Sequence, residues 1–154
     1  MINLEKKSIA QAENIRDIFI VKLALDIFSE DYIVFISEDD QVMANFDRTQ
    51  LIRVVTNLVK NGIQAIPSDM ENPKIGVKVM SEDDMVKITV EDNGIGITKE
   101  NESKIFEPKF TTKTSGMGLG LAMVKNIVET YKGNITFTSQ QGVGTTFIVT
   151  FPKI

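Results

Sequence analysis

The chain is expected to fold as a two-layer α/β sandwich on a mixed or antiparallel sheet, and three observations carry that expectation. Two strong helical patterns stand at Asp47–Ile66 and Leu119–Tyr131, and short strand-like runs lie between and after them. The runs come as hairpins rather than in strict β-α-β alternation, which argues against a parallel doubly wound sheet. The length of 154 residues suits one domain, large enough to build a core without staples.

Between Ile9 and Phe28, the residues Ile15, Ile18, Phe19, Val21, Leu23, Leu25 and Phe28 suit one side of a helix. Tyr32–Ser37 is β-branched and aromatic, hence a strand, with Gln41–Asn45 expected to pair near it. Asp47 reads as an N-cap and Gln50 as its capping-box partner. The helix they open should stop at Pro67, which lacks an N–H to continue it. Lys74–Met80 and Met85–Asp92 read as a hairpin joined by Ser81-Glu82-Asp83-Asp84.

Thr98–Ser115 has little periodicity and is too long for an ordinary connection, so it is expected to be a lid or binding loop. The helix at Leu119–Tyr131 should end on Gly133 as C-cap glycine. Asn134–Ser139 and Thr145–Phe151 form a last hairpin, turning at Gln140–Gly144.

Composition narrows the chemistry. Hydrophobic residues are 42% and charged residues 25%, as in ordinary globular chains. With no cysteine and no histidine, thiol nucleophiles, Ser–His pairs and imidazole or thiolate metal sites are excluded. No histidine of this chain can accept a phosphoryl group. A net charge of −4 gives no reason to expect nucleic acid as a partner. No apolar run approaches a membrane span and no signal-peptide core follows the start, so a cytoplasmic segment without membrane contact is expected.

Four places carry chemistry. Leu51, Val54, Val55, Leu58, Ala65 and Ile66 make one helix face apolar, and Asn57, Asn61 and Gln64 line its border. Two asparagines at i, i+4 offer neutral oxygens of the kind a hard cation takes beside phosphates and water, or they are simply solvated. In Val86–Asp92, side chains alternate, so Asp92 shares the apolar face of Val86, Ile88 and Val90 and points inward. An inward carboxylate is costly without donors, and a ligand amino group would be one. Asn93-Gly94 and Gly96 then allow a sharp turn and a close approach to a ligand.

Phe106 and Phe110 flank Pro108 in the long loop, before Thr111, Thr112 and Lys113, as anchors for a segment mobile elsewhere. Finally, Gly116, Gly118 and Gly120 precede or open a helix, where bare N–H groups and the helix dipole favour phosphate. The spacing fits neither a Rossmann fingerprint nor a P-loop.

In this order, Asn57–Asn61, Asp92–Ile97, Phe106–Lys113 and Gly116–Leu121 resemble the N, G1, F and G2 boxes of the catalytic ATP-binding domain of sensor histidine kinases. That family belongs to the group of gyrase, heat-shock chaperone, histidine kinase and mismatch-repair ATPases. Gly142–Phe147 resembles its final hairpin, and the resemblance runs from about Asp47 to the C-terminus.

The resemblance implies a Bergerat-type sandwich with helices over one sheet face and a mobile ATP lid. It implies ATP and Mg²⁺ as cofactors, Asn61 on the metal and Asn57 near metal and phosphates. Asp92 would accept from the adenine amino group, with Gly96 close to the base and Thr145 assisting through water. Gly94 and Ile97 belong to the same box. Gly116, Gly118, Leu119 and Gly120 would lie along the phosphates, and Thr111, Thr112 and Lys113 would reach the γ-phosphate.

Departures from the family pattern are Gly62 for alanine, Gln64 for a phosphate-contacting lysine, and Lys109 for phenylalanine. Lys60 or Lys113 would then supply the missing charge. Residues 9–154 would form the ATP-binding domain, with 1–8 a linker remnant or an artificial chain end. The implied activity is histidine kinase, passing the γ-phosphoryl group to a histidine on a separate dimerisation domain, with a response regulator downstream. The alternatives are another ATPase of the group, such as an anti-sigma serine kinase or a chaperone-like ATPase, and a non-catalytic nucleotide-binding module.

Overall fold

A computed structural model describes residues 17–37, 46–108 and 120–153. Its elements are α1 (Asp17–Leu25), β1 (Ile33–Ser37), α2 (Arg48–Ala65), β2 (Ile75–Glu82), β3 (Met85–Asp92), α3 (Lys99–Glu102), α4 (Gly120–Thr130), β4 (Asn134–Gln140) and β5 (Gly144–Pro152). The five strands form one sheet in the order β1-β2-β3-β5-β4. β1 runs parallel to β2 and every other pairing is antiparallel, so the sheet is mixed. α2 packs over β2 and β3, α4 packs over β4, and α1 and α4 both pack on α2.

Strand alternation decides which side is covered. Ile75, Val77 and Val79 of β2, Val86, Ile88 and Val90 of β3, and Phe147, Val149 and Phe151 of β5 are buried on the face under the helices. Each such side chain contributes roughly 1.5–3 kcal/mol of burial. Phe46, just ahead of α2, stacks on Tyr131 at 4.2 Å between ring centroids and meets Phe151 edge-on at 4.3 Å. It thereby ties the entry of α2 to the exit of α4 and to β5.

Several expectations are corrected. In α1 the buried residues are Ile20, Val21 and Ala24, whereas Leu23 is 46% exposed. At 100° per residue Leu23 lies too far round the helix to share their face. The helix ends at Leu25 rather than Phe28, and the expected start at Ile9 lies outside the described residues. So does the expected strand at Gln41–Asn45.

Asp47 caps α2 by accepting from the Gln50 N–H at 3.1 Å. The reciprocal half of the capping box is absent: Gln50 Oε1 is buried without a partner among the described residues. The first hairpin turns on Asp83-Asp84 alone, because β2 continues to Glu82, which pairs with Met85. Asp83 takes the left-handed conformation (φ 53°) that aspartate tolerates better than most residues.

At the end of α4 the left-handed residue is Lys132 (φ 62°), one position before the expected Gly133. Gly133 N–H donates to Val128 O at 2.9 Å and Lys132 N–H to Glu129 O at 3.0 Å, the paired bonds of a Schellman motif. Gly133 is required by packing instead. A Cβ there would lie 2.4 Å from Thr150 O and 2.6 Å from Phe151 Cδ1.

The long loop is also more ordered than expected over its first part. Thr98 caps the single turn α3 through its hydroxyl, which accepts from Asn101 N–H at 3.3 Å. Ile105 is buried, and Phe106 packs edge-on against Phe137 (5.9 Å) and Phe147 (6.5 Å), with Lys125 Nζ 5.5 Å above its ring. Residues 98–108 are therefore a packed approach rather than lid, held by two apolar anchors within four polar residues. Phe110 and the rest of the expected lid lie outside the described residues.

Candidate functional site

The inward parity of β3 carries Asp92 to the end of the covered face, where it is only 6% exposed. Its Oδ1 accepts from Gly94 N–H at 2.9 Å, which answers part of the cost of burying a carboxylate. Across the ladder Asp92 is level with Ile75 of β2 and Thr145 of β5, and Thr145 is level with Ser139 of β4. Ile75, Asp92, Thr145 and Ser139 therefore form one row across four strands at one end of the sheet.

Gly62 of α2 lies over this row. A Cβ there would be 3.2 Å from Ile75 Cδ1, 3.4 Å from Asp92 Cβ and 3.6 Å from Asp92 Oδ2. Glycine at this position lets Ile75 and the carboxylate sit close under the helix.

The loop after β3 is clamped by backbone contacts on both sides. Ile95 N–H donates to Ala65 O at 2.9 Å, and Gly142 N–H donates to Ile95 O at 2.7 Å. Asn93 accepts from Lys74 N–H and donates to Asn72 O, both at 2.9 Å. Packing adds its own reason for the glycines. A Cβ on Gly94 would lie 2.4 Å from Ala65 O, and one on Gly96 would lie 2.4 Å from Gln140 O. Gly96 also has φ +76°, in the region that glycine favours. Their close approach is to neighbouring backbone. Ile97 closes the loop by donating its N–H to Ser139 Oγ at 2.8 Å.

On α2, Asn57 Nδ2 donates to Arg53 O at 2.8 Å, leaving Oδ1 as the outward atom of its amide. That oxygen is 3.1 Å from where a Cβ on Gly120 would stand, so Asn57 meets the first residue of α4. Asn61 follows one turn later and is half-buried. Lys60 and Gln64 are exposed.

The structure thus brings Asp92, Thr145, Gly94, Gly96 and Ile97 together, and sets Asn57 beside Gly120. Thr111, Thr112, Lys113, Gly116, Gly118 and Leu119 lie outside the described residues.

A buried acid at a sheet end, two amides on the helix above it and the described start of α4 beside Asn57 are the polar groups that the fold gathers at this end of the sheet. The comparisons decide its family. Residues 46–154 match the model of the histidine kinase-, DNA gyrase B- and HSP90-like ATPases. The chain belongs to this ATPase family.

Within the family its likeness is to the catalytic ATP-binding domain of sensor histidine kinases. The chain is 40% identical over 121 residues to the signal transduction histidine-protein kinase AtoS of Escherichia coli K12, covering 77% of this chain and 19% of AtoS. It is 38% identical over 152 residues to the sensor histidine kinase ZraS of the same organism, covering 99% of this chain and 29% of ZraS. It therefore spans less than a third of the length of these curated relatives. The solved catalytic domain of histidine kinase ThkA superposes with a TM-score of 0.76 at 32% identity, covering 87% of this chain and 90% of that one. The sandwich of this ATPase domain is that fold.

Ser139 is the residue that sequence reasoning missed. Its hydroxyl accepts from Ile97 N–H, lies 2.8 Å from Thr145 Oγ1, and reaches Gly144 O at 3.2 Å. The signal was available: Ile135, Phe137 and Ser139 alternate on the covered face, so a serine there points inward.

Among the described residues no group of three or more acidic side chains could hold a metal. A cation in this cleft would depend on amide oxygens, on water and on the ligand's own phosphates. Asn57 and Asn61 supply donors of that kind, so the residues present fit Mg²⁺ carried in by a nucleotide. No described helix is long and apolar enough to cross a membrane.

Proposed function

We propose that this ATPase domain holds Mg-ATP in the cleft between α2, the loop after β3 and the start of α4, and passes the γ-phosphoryl group to a histidine of a separate dimerisation domain in the parent protein. A response regulator would take the phosphoryl group next, and the reaction would take place in the cytoplasm. The observation that carries the reading is Asp92. A carboxylate at the end of an otherwise apolar face, beside Gly62 and in register with Thr145, lies where the donor groups of a ligand would be read.

When bound, Mg-ATP supplies the transferable phosphoryl group and a metal that neutralises phosphate charge. The chain's own residues orient it. Asp92 would accept from the adenine amino group while its Oδ1 keeps the bond from Gly94 N–H. Thr145, level with it, completes the contact through water. Asn61 would offer its amide oxygen to the metal, and Asn57, beside Gly120 at the start of α4, would stand near the metal and the phosphates. The N-terminal end of α4 at Gly120 would favour the phosphates through its helix dipole. No general base is needed from this chain, because the accepting imidazole carries its own lone pair.

The test is trans-phosphorylation. The domain, labelled ATP and magnesium are mixed with a separately expressed dimerisation domain of the parent kinase. Label in an acid-labile, base-stable bond on the acceptor histidine is the expected result. Release of inorganic phosphate with no labelled acceptor would favour an ATPase of the chaperone-like kind instead.

A further inference from the structure

We infer that Ser139 is a positioning residue for nucleotide recognition: its hydroxyl fixes the rotamer of Thr145 while holding the loop after β3 against the sheet. The inference rests on the reading of Asp92 and Thr145 as the adenine-recognising pair.

The argument is a count of donors and acceptors. Ser139 Oγ accepts from Ile97 N–H at 2.8 Å. Its single proton has two acceptors in reach, Gly144 O at 3.2 Å and Thr145 Oγ1 at 2.8 Å. If the proton goes to Gly144 O, Thr145 donates to Ser139 and presents lone pairs to the cleft. If it goes to Thr145 Oγ1, Thr145 turns its own proton outward. Either way the Thr145 hydroxyl is engaged and held, rather than free to spin in a site where it is 5% exposed. The 2.8 Å contact uses both hydroxyls, so removing Ser139 Oγ frees the Thr145 hydroxyl, whereas Ser139 without Thr145 Oγ1 keeps Ile97 N–H and Gly144 O.

The same oxygen does a second task. Ile97 is where the clamped loop returns to the sheet, and Gly96 just before it is pressed against Gln140. Loss of the Ser139 oxygen leaves the half-buried Ile97 N–H without its acceptor and removes one of the loop's ties. Ser139 thus couples the loop carrying the Asp92–Gly94 contact to the strand carrying Thr145.

Binding calorimetry with the non-hydrolysable analogue AMP-PNP and magnesium tests this, with Asp92→Asn run beside it. Ser139→Ala is expected to weaken binding about tenfold, the effect of one lost hydrogen bond at a buried site. Ser139→Thr, which keeps the oxygen, should restore most of that loss. Because Ser139 acts in part through Thr145, adding Ser139→Ala to Thr145→Ala should cost clearly less than the tenfold that it costs alone, the remainder being the loop tie at Ile97. Faster hydrogen exchange at the Ile97 amide in Ser139→Ala is the accompanying signature.

Parental affinity in Ser139→Ala, with weakened binding in Asp92→Asn, overturns the inference and leaves the adenine reading standing. Full additivity of the two hydroxyl losses also overturns it. Unchanged binding in Asp92→Asn overturns the adenine reading, and this inference with it. If Ser139→Ala does not fold, Ser139→Cys keeps the shape with a weak acceptor. Parental affinity there is equally fatal.

Discussion

Asp92 and Thr145 face one another across the β3–β5 ladder, and each is more than nine-tenths buried. They are the two buried polar side chains among the described residues, side by side, in a face otherwise packed with Val, Ile and Phe. Isolated buried polar groups destabilise a fold; a buried polar pair at the rim of a cleft is a recognition element.

Asp92→Asn tests that element directly. The amide oxygen can still accept from Gly94 N–H, so the fold should survive. The other amide atom becomes a donor facing a donor, and ATP affinity should fall by about 2 kcal/mol or more. Calorimetry showing parental affinity in a folded variant would remove Asp92 from the site.

Asn61→Ala should separate the metal from the base. The enhancement of ATP affinity by magnesium is expected to disappear, while adenosine, which has no phosphate, should bind as before. Equal magnesium enhancement in variant and parent would show that Asn61 does not serve the metal.

Thermal melts of two neighbouring substitutions should move in opposite directions. Lys132→Gly relieves a left-handed residue and should stabilise by about 1 kcal/mol. Gly133→Ala drives a methyl into Thr150 O and the Phe151 ring, and should destabilise by about 1–3 kcal/mol. The reverse order of melting temperatures would contradict the Schellman geometry.

Gly62 and Ile75 should be energetically coupled. Gly62→Ala gains helix propensity of about 1 kcal/mol but sets a methyl 3.2 Å from Ile75 Cδ1. Ile75→Val removes that atom, at a usual cost of about 0.5–1.5 kcal/mol. In the Gly62→Ala background the same change should cost less, because it makes room. Additive free energies in a denaturant double-mutant cycle would refute the contact.

Much of this was legible in the sequence because it depends on local periodicity. The parity of Val86, Ile88, Val90 and Asp92 placed the acid inward, and Asp47 announced α2 by a bond within its own first turn. What was not legible depends on partners far along the chain. That Gly94 and Gly96 are also pressed against Ala65 and Gln140 could not be read from their own neighbourhood in the chain. Gly133 likewise owes its identity to Phe151 and Thr150 rather than to the helix it follows. Phe106 could be read as an anchor because it is an aromatic in a polar run, but Ile105 beside it has no period to mark it and shows itself only by its burial.

The row from Ile75 to Ser139 has a consequence for how the protein comes into being. Asp92 and Thr145 belong to strands that are neighbours in space, yet α3, α4 and β4 all lie between them in sequence. Closing that ladder requires a long stretch of chain to be arranged first, a topology associated with slow folding. The recognition row cannot form in a fragment or in a half-zipped sheet. Nucleotide affinity is therefore a property of the completed fold, and bound nucleotide should lower the global unfolding rate rather than merely quieten a loop.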